Sequence, residues 1–321
     1  MMNEIKRSAK KRIIVWSVVS CILIVALVAG IAVSSSRENL NYIGFKLFGD
    51  GSAAFETFDD YSDYNEGGME FEAAKVKSLD IKWDNGSIDF TNSFDNKVVF
   101  SETGNDSKKM YWMLDGNGVL HIRYDSSNGF FSLFSIGSNK EKTLSISIPE
   151  KMNFYDITVN CAGADIHAKK LNANHLDINT ASGGAEISKL SAKKVNINTA
   201  SGDFVLGGAI SDELDINSVS GGFTVDAAIK KADFNSVSGD LEMHIKDTAE
   251  SVDSKTVSGD CRITFPKSVT GFETEFESVS GDFSCDFSGK QSGKNFLFGD
   301  GHIKVEHESV SGNLTIKPEN Q

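Results

Sequence analysis

Proline is nearly missing from this chain, 3 in 321 residues, and outside residues 13–33 no apolar stripe recurs at the 3.6-residue period of an amphipathic helix. Helical bundles and proline-rich linkers are thereby excluded. Cysteine is scarce and unpatterned. Cys21, Cys161, Cys261 and Cys285 do not make the even, regularly spaced set of a disulfide-stapled exported domain. Basic residues are also in deficit, with 32 Lys and Arg against 45 Asp and Glu and a formal charge of −13. Such a surface repels nucleic acid and other anionic polymers, which excludes phosphate-backbone binding, whereas cationic partners or divalent ions fit its sign.

What is present is unevenly placed. Residues 1–12 hold Lys6, Arg7, Lys10, Lys11 and Arg12 against the single acid Glu4, and Ile13 to Val33 carry no charge over 21 residues. That is the length of a membrane-spanning helix, and the basic cluster predicts a cytoplasmic N-terminus with the rest of the chain outside. A cleavable signal has the same order of regions but a shorter apolar core of about 7 to 15 residues. Val18-Val-Ser-Cys21 resembles a lipoprotein box, yet twelve more apolar or small residues follow it. An uncleaved signal anchor is the reading adopted. The chain beyond residue 12 then has 27 basic and 44 acidic groups, a charge of −17.

Seven copies of one element organise the remainder: Asn179-Thr-Ala-Ser-Gly183, Asn198-Thr-Ala-Ser-Gly202, Asn217-Ser-Val-Ser-Gly221, Asn235-Ser-Val-Ser-Gly239, Lys255-Thr-Val-Ser-Gly259, Glu277-Ser-Val-Ser-Gly281 and Glu308-Ser-Val-Ser-Gly312. Their glycines lie 19, 19, 18, 20, 22 and 31 residues apart, so the coil is about 19 residues and the last interval holds an inserted loop. Seven residues before the glycine come Leu176, Val195, Leu214, Ala232, Val252, Thr274 and Val305, and five before come Ile178, Ile197, Ile216, Phe234 and Phe276. Between these, six before, stand Asp177, Asn196, Asp215, Asp233, Asp253, Glu275 and Glu306. Apolar residues alternating with acids make a half-buried strand. Alternation resumes after the glycine with Phe204, Phe223, Leu241, Phe283 and Leu314, so each Ser-Gly is a corner between two strands.

The corner ladder is therefore Ser182-Gly183, Ser201-Gly202, Ser220-Gly221, Ser238-Gly239, Ser258-Gly259, Ser280-Gly281 and Ser311-Gly312. Glycine there serves positive φ or close approach by the next coil, and the serine is expected to hydrogen-bond the turn backbone. Two degenerate copies extend the frame upstream, Leu79 to Phe90 around Gly86 and Ile157 to Ile166 with Ala164 in the glycine slot. Further strands are predicted at Lys97 to Phe100, Tyr111 to Leu114, Val119 to Tyr124 and Leu144 to Ile148. The expected fold is all-β, a parallel β-solenoid over residues 76–317 behind one N-terminal transmembrane helix, of roughly nine rungs and about 40 Å at about 4.8 Å each. Right-handed coiling is expected from the general rule for parallel crossovers. In chain order Cys261 and Cys285 fall on neighbouring rungs two residues out of step, about 8 Å apart and too far for a disulfide. Cys161 shares an inward slot with Thr180 and Thr199.

Candidate chemistry is sparse. Asp203, Asp240, Asp260 and Asp282 follow corner glycines, with Gly184, Gly222 and Asn313 completing that ladder. They are the best candidates for a cation site or an acid–base pair, although Asp is also an ordinary turn residue. No catalytic residue and no cofactor is expected. His121, His167, His175, His244, His302 and His307 are scattered over the repeat with no metal-ligand spacing and read as solvated or incidental. Asn179, Asn198, Asn217 and Asn235 predict an outward polar stack. Residues 34–75 form a juxtamembrane linker. Within it residues 50–74, with eight acids and five aromatics (Phe55, Phe58, Tyr61, Tyr64, Phe71), predict a cap over the first rung. The insertion at 286–300 carries Phe296, Leu297 and Phe298, the preferred contact loop, for which a flexible or cap-forming insert is the alternative.

The strand, Ser-Gly-Asp corner, strand repeat resembles one known family. Asp-Gly-Asn-Gly-Val-Leu-His-Ile at 115–122, Leu-Ser-Ile-Ser-Ile-Pro at 144–149 and Gly-Asp-Gly-His-Ile-Lys-Val at 299–305 strengthen the match. It is similar to the toastrack domains of bacterial envelope proteins, also labelled "putative adhesin", over about residues 70–317. The resemblance implies the fold and no catalytic residues, and it implies a setting beside membrane segments in envelope-stress proteins. The expected role is a membrane-anchored extracytoplasmic scaffold that binds a protein or cell-wall partner in envelope sensing or surface attachment. The alternatives are a surface adhesin proper, a carbohydrate-active β-helix enzyme, and a self-polymerising scaffold.

Overall fold

The computed structural model describes residues 62–104, 109–124, 142–246 and 248–319, and the predicted basic tail and span at 1–33 lie outside these. Among the described residues no helix is long and apolar enough to cross a membrane. Nearly every described residue between corners is in a strand, and the strands stack in parallel with the columns predicted from the repeat. Val195 pairs with Leu176 and Leu214, Ile197 with Ile178 and Ile216, and Phe204 with Phe223. The degenerate copies are in frame as well, since Leu79 faces Ile157 and Gly86 faces Ala164. Inward residues of both runs meet in one continuous core that includes Ile81, Trp83, Ile187, Ile216, Phe223 and Ile263.

Ten levels stack, and their order in space is not their order in the chain. From one end they are Val119–Tyr124 with Lys142–Pro149; Ser78–Ser93; Phe154–Ala168; then the coils with corners at Gly183, Gly202, Gly221, Gly239, Gly259, Gly312 and Gly281. Both ends double back. The strand Ser78–Ser93 is flanked by a level that follows it and by Phe154–Ala168, which the chain reaches later. At the other end Ile303–Ser309 lies between Ser251–Thr256 and Gly271–Ser278, while Leu314–Pro318 lies between Cys261–Phe265 and Phe283–Cys285. The last coil of the chain is thus inserted into the stack.

The expected placement of the cysteines changes accordingly. Cys261 and Cys285 are not on neighbouring levels, because the coil of Leu314 and Ile316 separates them; both are free, as is Cys161. Burial pushes the thiols of Cys161 and Cys261 up to about 11 and about 12, with hydrogen bonds from Thr180 and Ser254 opposing the shift, so they behave as small apolar groups. A third short parallel run joins the middle coils, Leu190–Ala192 on Gly208–Ile210 on Ala227–Ile229, with register shifts on both sides of it in the first pair and after it in the second. Leu190, Ala192, Ile210, Ala227 and Ile229 are its buried side chains.

Pairing is not purely parallel, since antiparallel strands close both ends. At the first end Tyr111–Leu114 lies against Val119–Tyr124 and Lys97–Gly104 against Lys142–Pro149, and outside them sit Asn65–Glu66 and Met69–Glu72. The cap is therefore built partly from residues 65–72, with Phe71 packed on Phe100 and Trp112, whereas Phe55, Phe58 and Tyr61 lie outside the described residues. At the far end Asn295–Gly299 pairs antiparallel with Gly271–Thr274, and Lys290–Ser292 pairs with it in turn. A stack of parallel strands always ends in open backbone groups, and a local hairpin is the shortest segment that can cover them.

Among the described residues, buried Asp, Lys and Arg side chains occur only at the first end. Arg123, 5% exposed, binds the Asp80 carboxylate and donates to the Asp80 carbonyl, and His121 Nδ1 lies 2.8 Å from the same carboxylate. Burial alone would raise the Asp80 pKa, but the His121 hydrogen bond and the Arg123 guanidinium outweigh it and hold the carboxyl below its ordinary range. The order of levels makes a direct prediction. Replacing Arg262 and Thr315, which are paired neighbours, by cysteine should give a disulfide on mild oxidation, read as a 2 Da loss in the intact mass. Arg262→Cys with Ser284→Cys, two levels apart, should not.

Candidate functional site

The corners account for the most regular residues in the sequence. Three residues before each glycine stands Thr180, Thr199, Ser218, Ser236, Thr256, Ser278 or Ser309, a hydroxyl in all seven copies. At Thr180, Ser236, Thr256 and Ser278 that hydroxyl accepts the N–H of its own corner glycine at 2.7–2.8 Å. Ser218 and Ser309 instead donate to corner carbonyls at 2.9 and 2.8 Å. These residues close the turn. The serine directly before the glycine, expected to do so, bonds the neighbouring level: Ser182 Oγ donates to the Ala162 carbonyl at 3.3 Å and Ser280 Oγ to the Val310 carbonyl at 3.2 Å. The signal for the true turn-closing residue was available in the invariant hydroxyl three positions upstream.

The glycines serve close approach more than unusual φ. Of the seven, Gly221 alone has positive φ, at 130°. At Gly259 a Cβ would fall on the Gly239 carbonyl oxygen of the level beneath.

Three of the four candidate cation ligands accept backbone N–H groups of the next level. Asp203 Oδ1 accepts the Gly222 N–H at 2.7 Å, Asp240 Oδ1 the Asp260 N–H at 2.8 Å, and Asp260 Oδ1 both the Asn313 N–H and Nδ2–H at 2.9 Å. Asn313 Oδ1 in turn accepts the Asp282 N–H at 2.8 Å. Each side chain staples its level to the next. Because of the inserted coil, Asp240, Asp260 and Asp282 are not on three consecutive levels, for Asn313 separates the last two. Among the described residues the group that does bring three ligating oxygens within 4.8 Å is Glu213, Asp215 and Asp233, on the outward side. Lys194 already bridges two of these, at 2.7 Å to Glu213 and 3.2 Å to Asp215.

That outward side has two ladders. Asn179, Asn198, Asn217 and Asn235 form the predicted stack, and Asn160 extends it: each Nδ2 donates to the previous Oδ1 at 2.9–3.3 Å. Alongside runs a carboxylate column on five neighbouring levels, Asp215, Asp233, Asp253, Glu306 and Glu275. Burial, then repulsion from Asp253 and Asp215, raises the pKa of Asp233; burial and then Glu306 raise that of Asp253. For Glu306 the causes are burial, then Glu308 and Glu275. A raised carboxylate binds protons more readily in the folded chain, so the column weakens the fold at neutral pH and is relieved as pH falls.

The contact loop divides between core and surface. Phe296 is 7% exposed and packs with Phe272 and Phe283; Phe298 is half-buried against Phe272 and Phe287; Leu297 points out at 39%. One histidine also departs from expectation. His307 is fully buried at 0% exposure, in the inward column five before the glycine, with Nδ1 3.2 Å from Ser254 Oγ and its ring 5.8 Å from Phe276 and nearly parallel to it. Phase in the repeat was the signal for it, because every other position in that column is inward. His121 and His175 are held by Asp80 and Asp156, each at 2.8 Å.

A family model described as Toastrack DUF4097 matches residues 76–317. The chain belongs to the toastrack family. No curated protein matches it. Among solved structures, a "putative adhesin" from Bacteroides fragilis is 16% identical, covering 79% of this chain and 97% of that one at a TM-score of 0.44. A "putative cell adhesion protein" from Clostridium sporogenes is 17% identical over 80% and 100%, at 0.28. A "putative lipid binding protein" from Parabacteroides distasonis is 14% identical over 80% and 97%, at 0.39.

Corner chemistry predicts a stability ranking for toastrack variants of this chain. Thr256→Val leaves the buried Gly259 N–H without its acceptor and should lower the urea unfolding free energy by about 1–3 kcal/mol. Ser182→Ala, which removes a longer and part-exposed bond, should lower it by less than about 1 kcal/mol. Adding calcium should leave the melting temperature of the Asp260→Asn variant and of the parent equally unchanged, because Asp260 is held by Asn313.

Proposed function

We propose that this toastrack chain is a membrane-anchored, extracytoplasmic binding scaffold of the bacterial envelope, acting in stress sensing or surface attachment without catalysis. One observation carries the reading. The polar groups of the corners are largely taken up between levels, while the carboxylate column Asp215, Asp233, Asp253, Glu306 and Glu275 remains on the outward face, where burial and then repulsion between neighbours raise the pKa values of Asp233, Asp253 and Glu306. A solenoid gains nothing structural from such a column. A basic protein or cell-wall partner would relieve the repulsion on binding and so gain affinity from it.

Anchoring is inferred from the 21 uncharged residues 13–33 and the basic cluster before them. An anchor at 13–33 would precede the first end of the stack in the chain, where residues 65–72 pair.

The test is a double variant, Asp233→Asn with Asp253→Asn. It should melt no lower than the parent at pH 7, because it removes repulsion, and should lose at least tenfold in attachment to cell walls or in stress-reporter output in cells. Unchanged output with unchanged attachment would overturn the role of this face. External protease on wall-stripped cells should digest residues 76–317; protection would overturn the orientation.

A further inference from the structure

We propose that His307 is a proton-operated latch that keeps the final coil, residues 303–318, in its slot, and that acidification releases this coil and opens the solenoid between residues 251–265 and 271–285. The placement of the coil comes first. It is the last part of the stack in the chain, yet it is paired along both edges, with Ser251–Thr256 and Cys261–Phe265 on one side and with Gly271–Ser278 and Phe283–Cys285 on the other. Withdrawing it would break the pairing along both of these edges. It would leave two facing rows of unpaired backbone groups.

His307 lies at the middle of this coil and touches both neighbours. Its Nδ1 is 3.2 Å from Ser254 Oγ on one level, and its ring lies flat on Phe276 of the other at 5.8 Å. The two exceptions to the apolar column, Ser254 and His307, are brought together only by the inserted order, because the chain order would have set Ser254 against Phe276. The groups around the ring are poorly suited to an imidazolium. From the level of Ser254 they are that hydroxyl and, at its corner, the Asp260 carboxylate, whose Oδ1 is engaged by Asn313. Cys261 on the same level stays a neutral thiol. The coil's own Gly312 carbonyl is the other polar neighbour, and the level beyond presents the Phe276 ring. Lys255, Glu306 and Glu308 belong to outward columns of these strands.

Burial, against the smaller opposing effects of the Gly312 carbonyl and Asp260, lowers the His307 pKa to about 4. A released coil would titrate near the ordinary value of about 6.5, so between these two values the released state holds more protons and retention weakens as pH falls. The window gives a loss of about a hundredfold in the retention equilibrium by pH 4. Outward carboxylates act in the opposite sense, because Glu306 is crowded when charged and relieved when protonated. The latch is therefore separable from general acid effects by a residue that keeps the ring and lacks the proton site.

Hydrogen exchange of the purified full-length chain at pH 7 and pH 4, corrected for intrinsic rates, compares the parent with His307→Phe. Protection of amides in 303–309 and 314–318 should fall about a hundredfold further in the parent than in the variant, while 176–199 changes equally in both. An equal fall in parent and variant, or no fall in the parent, would overturn the latch. Should the variant fail to fold, NMR titration of the parent decides: a His307 ring that titrates near 4 supports the latch, and one that titrates near 6.5 sinks it.

Discussion

Parallel backbone hydrogen bonding between levels about 4.8 Å apart is the constraint from which the rest of this structure follows. Every residue is held directly above and below its counterpart, so a side chain is chosen less by its own position than by the column it joins. Apolar columns become the core, glycine columns become corners, and a hydroxyl column three residues upstream becomes the row of turn closures. Polar side chains inherit the same spacing. An Asn or Asp repeated at one phase meets the next level at hydrogen-bonding distance, which is why the asparagine stack and the corner staples form without any further design.

Phase was therefore legible in the sequence, and order was not. Alternation around Gly183, Gly202 and Gly221 states which side chains point inward, and the degenerate copies at Gly86 and Ala164 could be set in frame by the same rule. Nothing in that alternation says which copy lies on which. The motifs ending at Gly259, Gly281 and Gly312 differ little, and Lys255 meets a glutamate whichever of the other two is its neighbour. The placements of Cys285 and of Asp282 relative to the coils before them failed because they depended on neighbours taken from chain order, whereas the burial of His307 was legible from its phase. The fold of the repeat survived because it depended on phase alone.

The departures from each column do record the order once they are considered in pairs. Asn313 between Asp260 and Asp282 gives each junction a donor and an acceptor, whereas chain order would set the two carboxylates on adjacent levels. Ser254 beside His307 pairs its hydroxyl with the ring Nδ1, two polar atoms that isoleucine or phenylalanine neighbours would leave unpaired, and an unpaired buried polar group costs about 1–3 kcal/mol. Compatibility between exceptions is thus the sequence-level evidence for insertion, and it is invisible to any method that scores one coil at a time.

Insertion also places the least apolar part of the core beside the most crowded part of the surface. His307 is inward and Glu306 and Glu308 are outward on one strand, and acid acts on them in opposite directions: it weakens the buried side and relieves the exposed one. A regular coil such as 194–206 has no such opposition, since isoleucine and valine fill its inward column. The final coil thus carries on one strand a buried group that acid destabilises and a surface carboxylate that acid relieves. A partner of opposite charge on the outward face would act there too, by removing the repulsion that acid otherwise relieves, so that binding would hold the coil in place more firmly at neutral pH than in acid.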